Sequence, residues 1–235
     1  MPYKGHQVFL KVSDDTCVQI VSKVGSFSMR AAIRQVPHEE VTVAQALKLP
    51  RRVMFVRHPL TRLESTFNHF WWLTLNNVGY SDFIPSGIIR ADGGRLEGRV
   101  GANEHRHRGK RKLDYLDRRD AAMKAGGGAA VAAVAARLKQ EDWERFVDYV
   151  LSGGEDEHWL PQMDIAKYEG RIVANIAHRF EDVRDYWPLY VGGTLPELNS
   201  WQPVPKKPYR LAQLRKYYRE TLDFWGGIDA TWDAS

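Results

Sequence analysis

The sequence predicts an α/β fold, with a central parallel sheet flanked by helices on both faces. Two observations carry this expectation. The runs Thr16–Ser22 (TCVQIVS) and Arg52–Val56 (RVMFV) are short and apolar or β-branched, and each is followed at once by a turn and a helical pattern. Strands that alternate with helices build open parallel sheets. A chain of 235 residues with 43% apolar side chains is also long enough to bury the core of one domain.

Each element has its own signal. Thr16–Ser22 is rich in β-branched residues and stops at a glycine turn, so it reads as a strand. Ser28–Val36 reads as the helix after it, ended by Pro37. Arg52–Val56 is almost continuously apolar, as expected of a strand covered on both faces. Pro59 suits a first helical turn, and Leu63, Phe67, Phe70 and Trp71 recur at i, i+4, i+7 and i+8. From Ser81 to Arg119 the pattern breaks. This stretch is Gly-rich, with ten Lys/Arg against five Asp/Glu between Arg90 and Arg119. It reads as a basic insertion at 81–120 within one domain spanning 1–235, and such long irregular stretches are either functional or mobile.

Ala121–Leu138 is Ala-rich and reads as a helix interrupted by Gly126–Gly128. Trp143, Phe146, Val147, Val150 and Leu151 mark a helix that stops at Gly153-Gly154. Arg171–Phe180 (RIVANIAHRF) reads as a further strand. Arg210–Trp225 reads as a closing helix with Leu211, Leu214, Tyr218, Leu222 and Trp225 on one face. No internal repeat is visible.

Composition narrows the function classes. The net charge of +5 favours an anionic partner: a nucleotide, an acidic glycan or a nucleic acid. No run of about 18 apolar residues is present, so no membrane span is expected. The N-terminus MPYKGHQVFLKVSDD lacks the apolar centre of a signal peptide. A soluble, cytoplasmic protein is the expectation. Cys17 is the only cysteine, which excludes an internal disulfide and a cysteine-built zinc site. Within a strand it reads as a small core residue rather than a nucleophile. No metal is expected: His105 and His107 have no carboxylate or cysteine at ligand spacing.

In an open α/β sheet, ligands bind beyond the carboxyl ends of the strands. Both strand ends here carry unusual residues. After the first comes Lys23-Val24-Gly25-Ser26-Phe27-Ser28. Backbone N–H groups of such a turn and of the new helix point at an anion, Gly25 allows close approach, and Lys23 adds a full charge. After the second comes Arg57-His-Pro-Leu-Thr-Arg62-Leu-Glu-Ser65. An arginine fork grips a phosphate bidentately, and a hydroxyl completes the cage. Two such ends suggest a ligand with two separated phosphate-like groups. The Walker A pattern is absent, and so is a G-x-G-x-x-G turn after a strand.

These residues resemble the Golgi-type carbohydrate sulfotransferases and their bacterial and viral relatives. SKVGSFSMR resembles the family's 5′-phosphosulfate loop, and FVRHPLTRLESTF its 3′-phosphate motif. HWLPQ (158–162), HRFEDV (178–183), LPELNSW (195–201) and LRKYYRETLDFWGG resemble further family stretches, in family order. Phe27 stands where the family usually has a hydroxyl or a small residue. The family's membrane anchor and disulfides have no counterpart in this chain. The resemblance implies a P-loop-like three-layer fold and sulfuryl transfer from 3′-phosphoadenosine-5′-phosphosulfate (PAPS), without a metal, to an acceptor hydroxyl. The acceptor is expected to be a carbohydrate, with an anionic glycan one candidate for the basic segment; no stable nucleic-acid complex is expected.

By the same resemblance Lys23, Val24, Gly25, Ser26, Phe27 and Ser28 would hold the phosphosulfate, and Arg57, Arg62 and Ser65 the 3′-phosphate. Lys23 would stabilise the leaving oxygen. The acceptor needs a general base, and histidine suits neutral pH. His158 is the first candidate and His38 the second; His58 reads as packing beside the phosphate site. Trp159 and Trp201 can stack on a sugar or on adenine, or belong to the core. The alternative functions are a kinase with an unusual P-loop and a non-catalytic nucleotide or nucleic-acid binder.

Overall fold

The computed structural model describes residues 8–21, 24, 26–75, 140–153, 158–195, 207–228 and 232–233. The stretches 81–120 and Ala121–Leu138 therefore lie outside the described residues, as do Lys23, Gly25 and Trp201. The chain divides into two compact units. One comprises residues 1–64, 155–200 and 211–235; the other comprises 65–154 and 201–210.

The first unit is built on a six-stranded sheet. Its strands are β1 (Val8–Lys11), β2 (Thr16–Ile20), β3 (Glu39–Val41), β4 (Arg51–Val56), β7 (Ile176–Arg179) and β8 (Trp232–Asp233), in the order β3-β1-β2-β4-β7-β8. The centre is parallel as expected: β2 pairs with β4 and β4 with β7. The edges are not. β1 runs antiparallel to both β2 and β3, and β8 antiparallel to β7. The sheet is thus mixed rather than wholly parallel. The cause at β1 is a tight reversal: Val12 N–H donates to the Thr16 carbonyl at 3.0 Å, so the chain turns straight back into β2.

Alternation along β4 separates two faces, as strand geometry requires. Val53 and Phe55 join the core that holds Met29, Ala32 and Ile33 of α1 (Ser26–Ile33) and Val183 and Trp187 of α6 (Val183–Tyr190). Met54 and Val56 join Met163 and Ala166 of α5 (Gln162–Ala166), with Phe224 and Trp225 of α8 (Arg219–Gly227) packed against them. Helices therefore cover both faces. A third cluster joins Phe9, Cys17 and Val41 to Ala46 of α2 (Val43–Ala46). Cys17 is fully buried, and burial pushes its thiol up to about 11, so it stays protonated at neutral pH.

Two predicted elements are divided. The apolar run 171–180 splits into β6 (Arg171–Ile172) and β7, while β5 (Lys167–Tyr168) pairs back on β6. Asn175 causes the break. Its side-chain amide accepts from Arg52 N–H at 2.8 Å and donates to the Pro50 carbonyl at 2.8 Å, and its own N–H donates to the Arg52 carbonyl. Residues 173–174 are buried but belong to this clasp, not to a strand. The closing helix is likewise two: α7 (Leu211–Tyr217) and α8 meet at Tyr218.

In the second unit, helix α3 (Pro59–Leu75), which begins in the first, contributes Phe67. The Phe67 ring sits 5.3 Å from Trp143 and 5.5 Å from Phe146 of α4 (Gln140–Leu151). Gln140 of α4 clasps the Lys207 backbone with both ends of its amide. Among the described residues, no helix is long and apolar enough to cross a membrane.

Candidate functional site

The register decides which predicted residues share an edge of the sheet. β2 and β4 are hydrogen-bonded parallel neighbours, with Thr16 opposite Arg51 and Gln19 opposite Met54. Their carboxyl ends therefore open at the same edge, side by side. α1 begins at Ser26 beyond one end, and α3 at Pro59 beyond the other. Two helix N-termini thus follow adjacent strand tips, the arrangement that concentrates anion-seeking N–H groups.

At the first tip, Val24 is the described residue between Val21 and the start of α1. Val24 is buried in the core cluster together with Val21 and Met29, and its N–H donates to the Val21 carbonyl at 3.4 Å. Ser26 is half-buried and Ser28 is buried. Lys23 and Gly25 lie outside the described residues, as does the side chain of Phe27.

At the second tip Arg57 is half-buried, with its guanidinium 5.5 Å above the Phe180 ring. Burial lowers its pKa, while the carboxylates of Glu181 and Glu64 raise it. An arginine remains charged through any such shift. His58 meets Trp225 edge-on at 5.0 Å, and Trp225 in turn lies under the Arg179 guanidinium at 4.6 Å and donates its Nε1–H to Glu181. Burial lowers the His58 pKa, so its ring is neutral at pH 7. These contacts place His58 against Trp225, next to the residue at the second strand tip. Ser65 is half-buried in the second turn of α3.

Arg62 is held in the interior. Its side chain is 1% exposed, and Nη1 donates to the Leu160 carbonyl at 2.6 Å. Tyr218, also 1% exposed, donates its hydroxyl to the Trp159 carbonyl at 2.5 Å. Gln162 completes the fastening. Its Nε2 donates to the Phe55 carbonyl at 2.7 Å, and its Oε1 accepts from Arg57 N–H at 3.2 Å. The HWLPQ segment is thereby tied to the carboxyl end of β4, to α3 and to the junction of α7 and α8. Trp159 is buried in this clasp, which places its indole in the core.

The two candidate bases part company. His158 is half-buried and begins the tied segment. Four residues span at most about 14 Å, so it lies within that distance of Gln162 at the edge where Arg57 emerges. His38 precedes β3. Glu39 stands opposite Lys11, and Lys11 opposite Cys17, so His38 lies level with the start of β2 and β4. That is about 20 Å along the strands from Arg57, at the opposite edge. His38 is exposed there, with Nδ1–H donating to the Val36 carbonyl at 2.9 Å.

Sequence reasoning missed Gln162, Tyr218, Phe180 and Arg179 as parts of this edge. The HWLPQ and HRFEDV resemblances pointed at the neighbourhood of Gln162, Phe180 and Arg179, and the LRKYYRETLDFWGG resemblance at that of Tyr218. Among the described residues no group of histidine, cysteine and carboxylate side chains is placed to hold a metal ion. Comparison with protein-family models, with characterised proteins and with solved structures finds no match.

Proposed function

We propose that the protein is a PAPS-dependent sulfotransferase acting on a hydroxyl acceptor, with a carbohydrate the expected substrate class. The observation that carries the reading is the side-by-side opening of two strand–turn–helix units, one with the K-x-G-S turn and one with Arg57 at the strand tip. PAPS has two anionic ends, a 5′-phosphosulfate and a 3′-phosphate, and two adjacent strand tips match that separation in kind. In this reading the fold is P-loop-like, with the turn 22–28 around the phosphosulfate and Arg57 on the 3′-phosphate.

The chemistry is an in-line displacement. The acceptor oxygen attacks sulfur while the bond from sulfur to the bridging phosphate oxygen breaks. Charge grows on that leaving oxygen, and Lys23 offsets it; positioning and electrostatics supply the catalysis. His158 takes the acceptor proton, since it belongs to the same edge as Arg57 and His38 does not. Arg62 serves by holding the segment that carries His158, rather than by touching the nucleotide.

Transfer of labelled sulfuryl from PAPS to a panel of neutral and acidic glycans tests the reading. Activity on at least one glycan is expected, with His158→Ala lowering turnover about 10²–10⁴-fold and His38→Ala leaving it intact. No transfer to any hydroxyl acceptor, or loss through His38 alone, overturns it.

A further inference from the structure

We infer that Gln162 is a positioning residue for Arg57, and that it does this by standing in for one residue of a missing strand. The inference rests on the proposed reading for its functional consequence, but its geometry does not. In a parallel ladder, a residue on the neighbouring strand donates its N–H to the carbonyl of residue i−1 and accepts from the N–H of residue i+1. The Gln162 side-chain amide makes this pair of bonds around Val56: Nε2 to the Phe55 carbonyl at 2.7 Å, and Oε1 from Arg57 N–H at 3.2 Å. β2 ends at Ile20, so β4 outruns it at this edge. Beyond that end the Phe55 carbonyl and the Arg57 N–H are met by the Gln162 side chain.

The amide is itself fixed. Gln162 is 1% exposed and opens α5 directly after Pro161, whose φ is preset. Just upstream, Arg62 holds the Leu160 carbonyl and Tyr218 the Trp159 carbonyl. Residues 159–162 thus make bonds to three other parts of the unit. The start of β4 shows the same device. Asn175 pairs its side-chain amide with Arg52 N–H and the Pro50 carbonyl. That end carries none of the predicted anion contacts, so there the clasp serves the fold alone. At the carboxyl end it sets the backbone from which the Arg57 guanidinium reaches out. A guanidinium fork needs its direction fixed to grip a phosphate with two bonds.

The test uses the full chain with Gln162→Met, which keeps length and shape but neither bond, and Gln162→Asn, which keeps the amide on a shorter arm. Two measurements are made. The first is hydrogen exchange at the Arg57 amide, which needs no nucleotide. The second is the affinity for adenosine 3′,5′-bisphosphate in a double-mutant cycle with Arg57→Ala. Faster exchange at Arg57 is expected in both variants. Binding should weaken on the order of tenfold in Gln162→Met, and this loss should vanish when Arg57 is already alanine. Unchanged exchange at Arg57 overturns the inference, and so do losses that simply add in the double mutant, which would mark a general effect on the fold. If the wild-type chain binds no adenosine bisphosphate, the proposed function fails, and the exchange measurement alone upholds or overturns the clasp.

Discussion

Tyr218→Phe removes one oxygen from the interior and leaves the ring in place. The hydroxyl donates to the Trp159 carbonyl at 2.5 Å, and the side chain is 1% exposed. No cavity larger than the lost atom opens, so the effect reports the hydrogen bond and little else. A buried acceptor left without a donor costs about 1–3 kcal/mol. For a chain of 150–250 residues, each kcal/mol moves the melting temperature by about 2–4 °C. A loss near 2 kcal/mol therefore lowers Tm by roughly 4–8 °C. Differential scanning calorimetry of the two proteins measures it.

The pH dependence reads the burial of the same side chain. Burial raises the Tyr218 pKa well above the ordinary phenol value, while the nearby Arg62 charge lowers it. A group whose folded pKa is raised contributes stability that is present below its unfolded pKa and is lost as the pH rises above it. The wild-type chain should thus lose stability above about pH 10, the unfolded tyrosine value, and Tyr218→Phe should lose less over that range. An unchanged Tm in the variant would refute the claim that this hydroxyl fastens the HWLPQ segment, and identical alkaline profiles would refute the burial of its neutral phenol.

Two further expectations concern the sheet and its first turn. Gln19, in the middle of β2, is 2% exposed, and neither atom of its amide has a hydrogen-bond partner among the described residues; Gln19→Met should stabilise the chain by about 1–2 kcal/mol in urea unfolding, and destabilisation of that size would contradict it. Lys23→Ala should lower sulfuryl-transfer turnover far more than it weakens binding of adenosine 3′,5′-bisphosphate, which lacks the sulfuryl group; equal losses in the two would make Lys23 a ground-state contact.

The elements that place the site were legible because their signals are local. Val53–Val56 of RVMFV are all buried, so the stretch reads as an almost continuous apolar run, and Pro59 marks the helix start shortly after it. β1 and β3 were not legible, since VFLK and EEV are too short to show a period and lie toward the sheet edge. The run 171–180 misled for a physical reason. Val173 and Ala174 are buried in a clasp, and burial selects the same residue types there as in a strand.

Arg62 shows a different limit. An arginine on an amphipathic helix reads as surface or ligand contact, and its interior placement depends on a carbonyl 98 residues further along the chain. Gln162 is the same case: nothing in HWLPQ announces that its glutamine will pair with the backbone of β4. The histidines divide on topology alone. Residue spacing leaves His38 and His158 both available, and only the antiparallel pairing of β1 with β2 and β3 sends His38 to the far edge.

The most direct measurement of the central claim is calorimetric titration of adenosine 3′,5′-bisphosphate and of adenosine 5′-monophosphate into the wild-type chain and Arg57→Ala. The two nucleotides differ only in the 3′-phosphate. The account predicts tighter binding of the bisphosphate by wild type, and a loss of about 1.5–3 kcal/mol for the bisphosphate in Arg57→Ala, as for a hydrogen bond to a charged group, with little change for the monophosphate. Equal affinity of the wild-type chain for the two nucleotides, or a bisphosphate affinity untouched by Arg57→Ala, would contradict it.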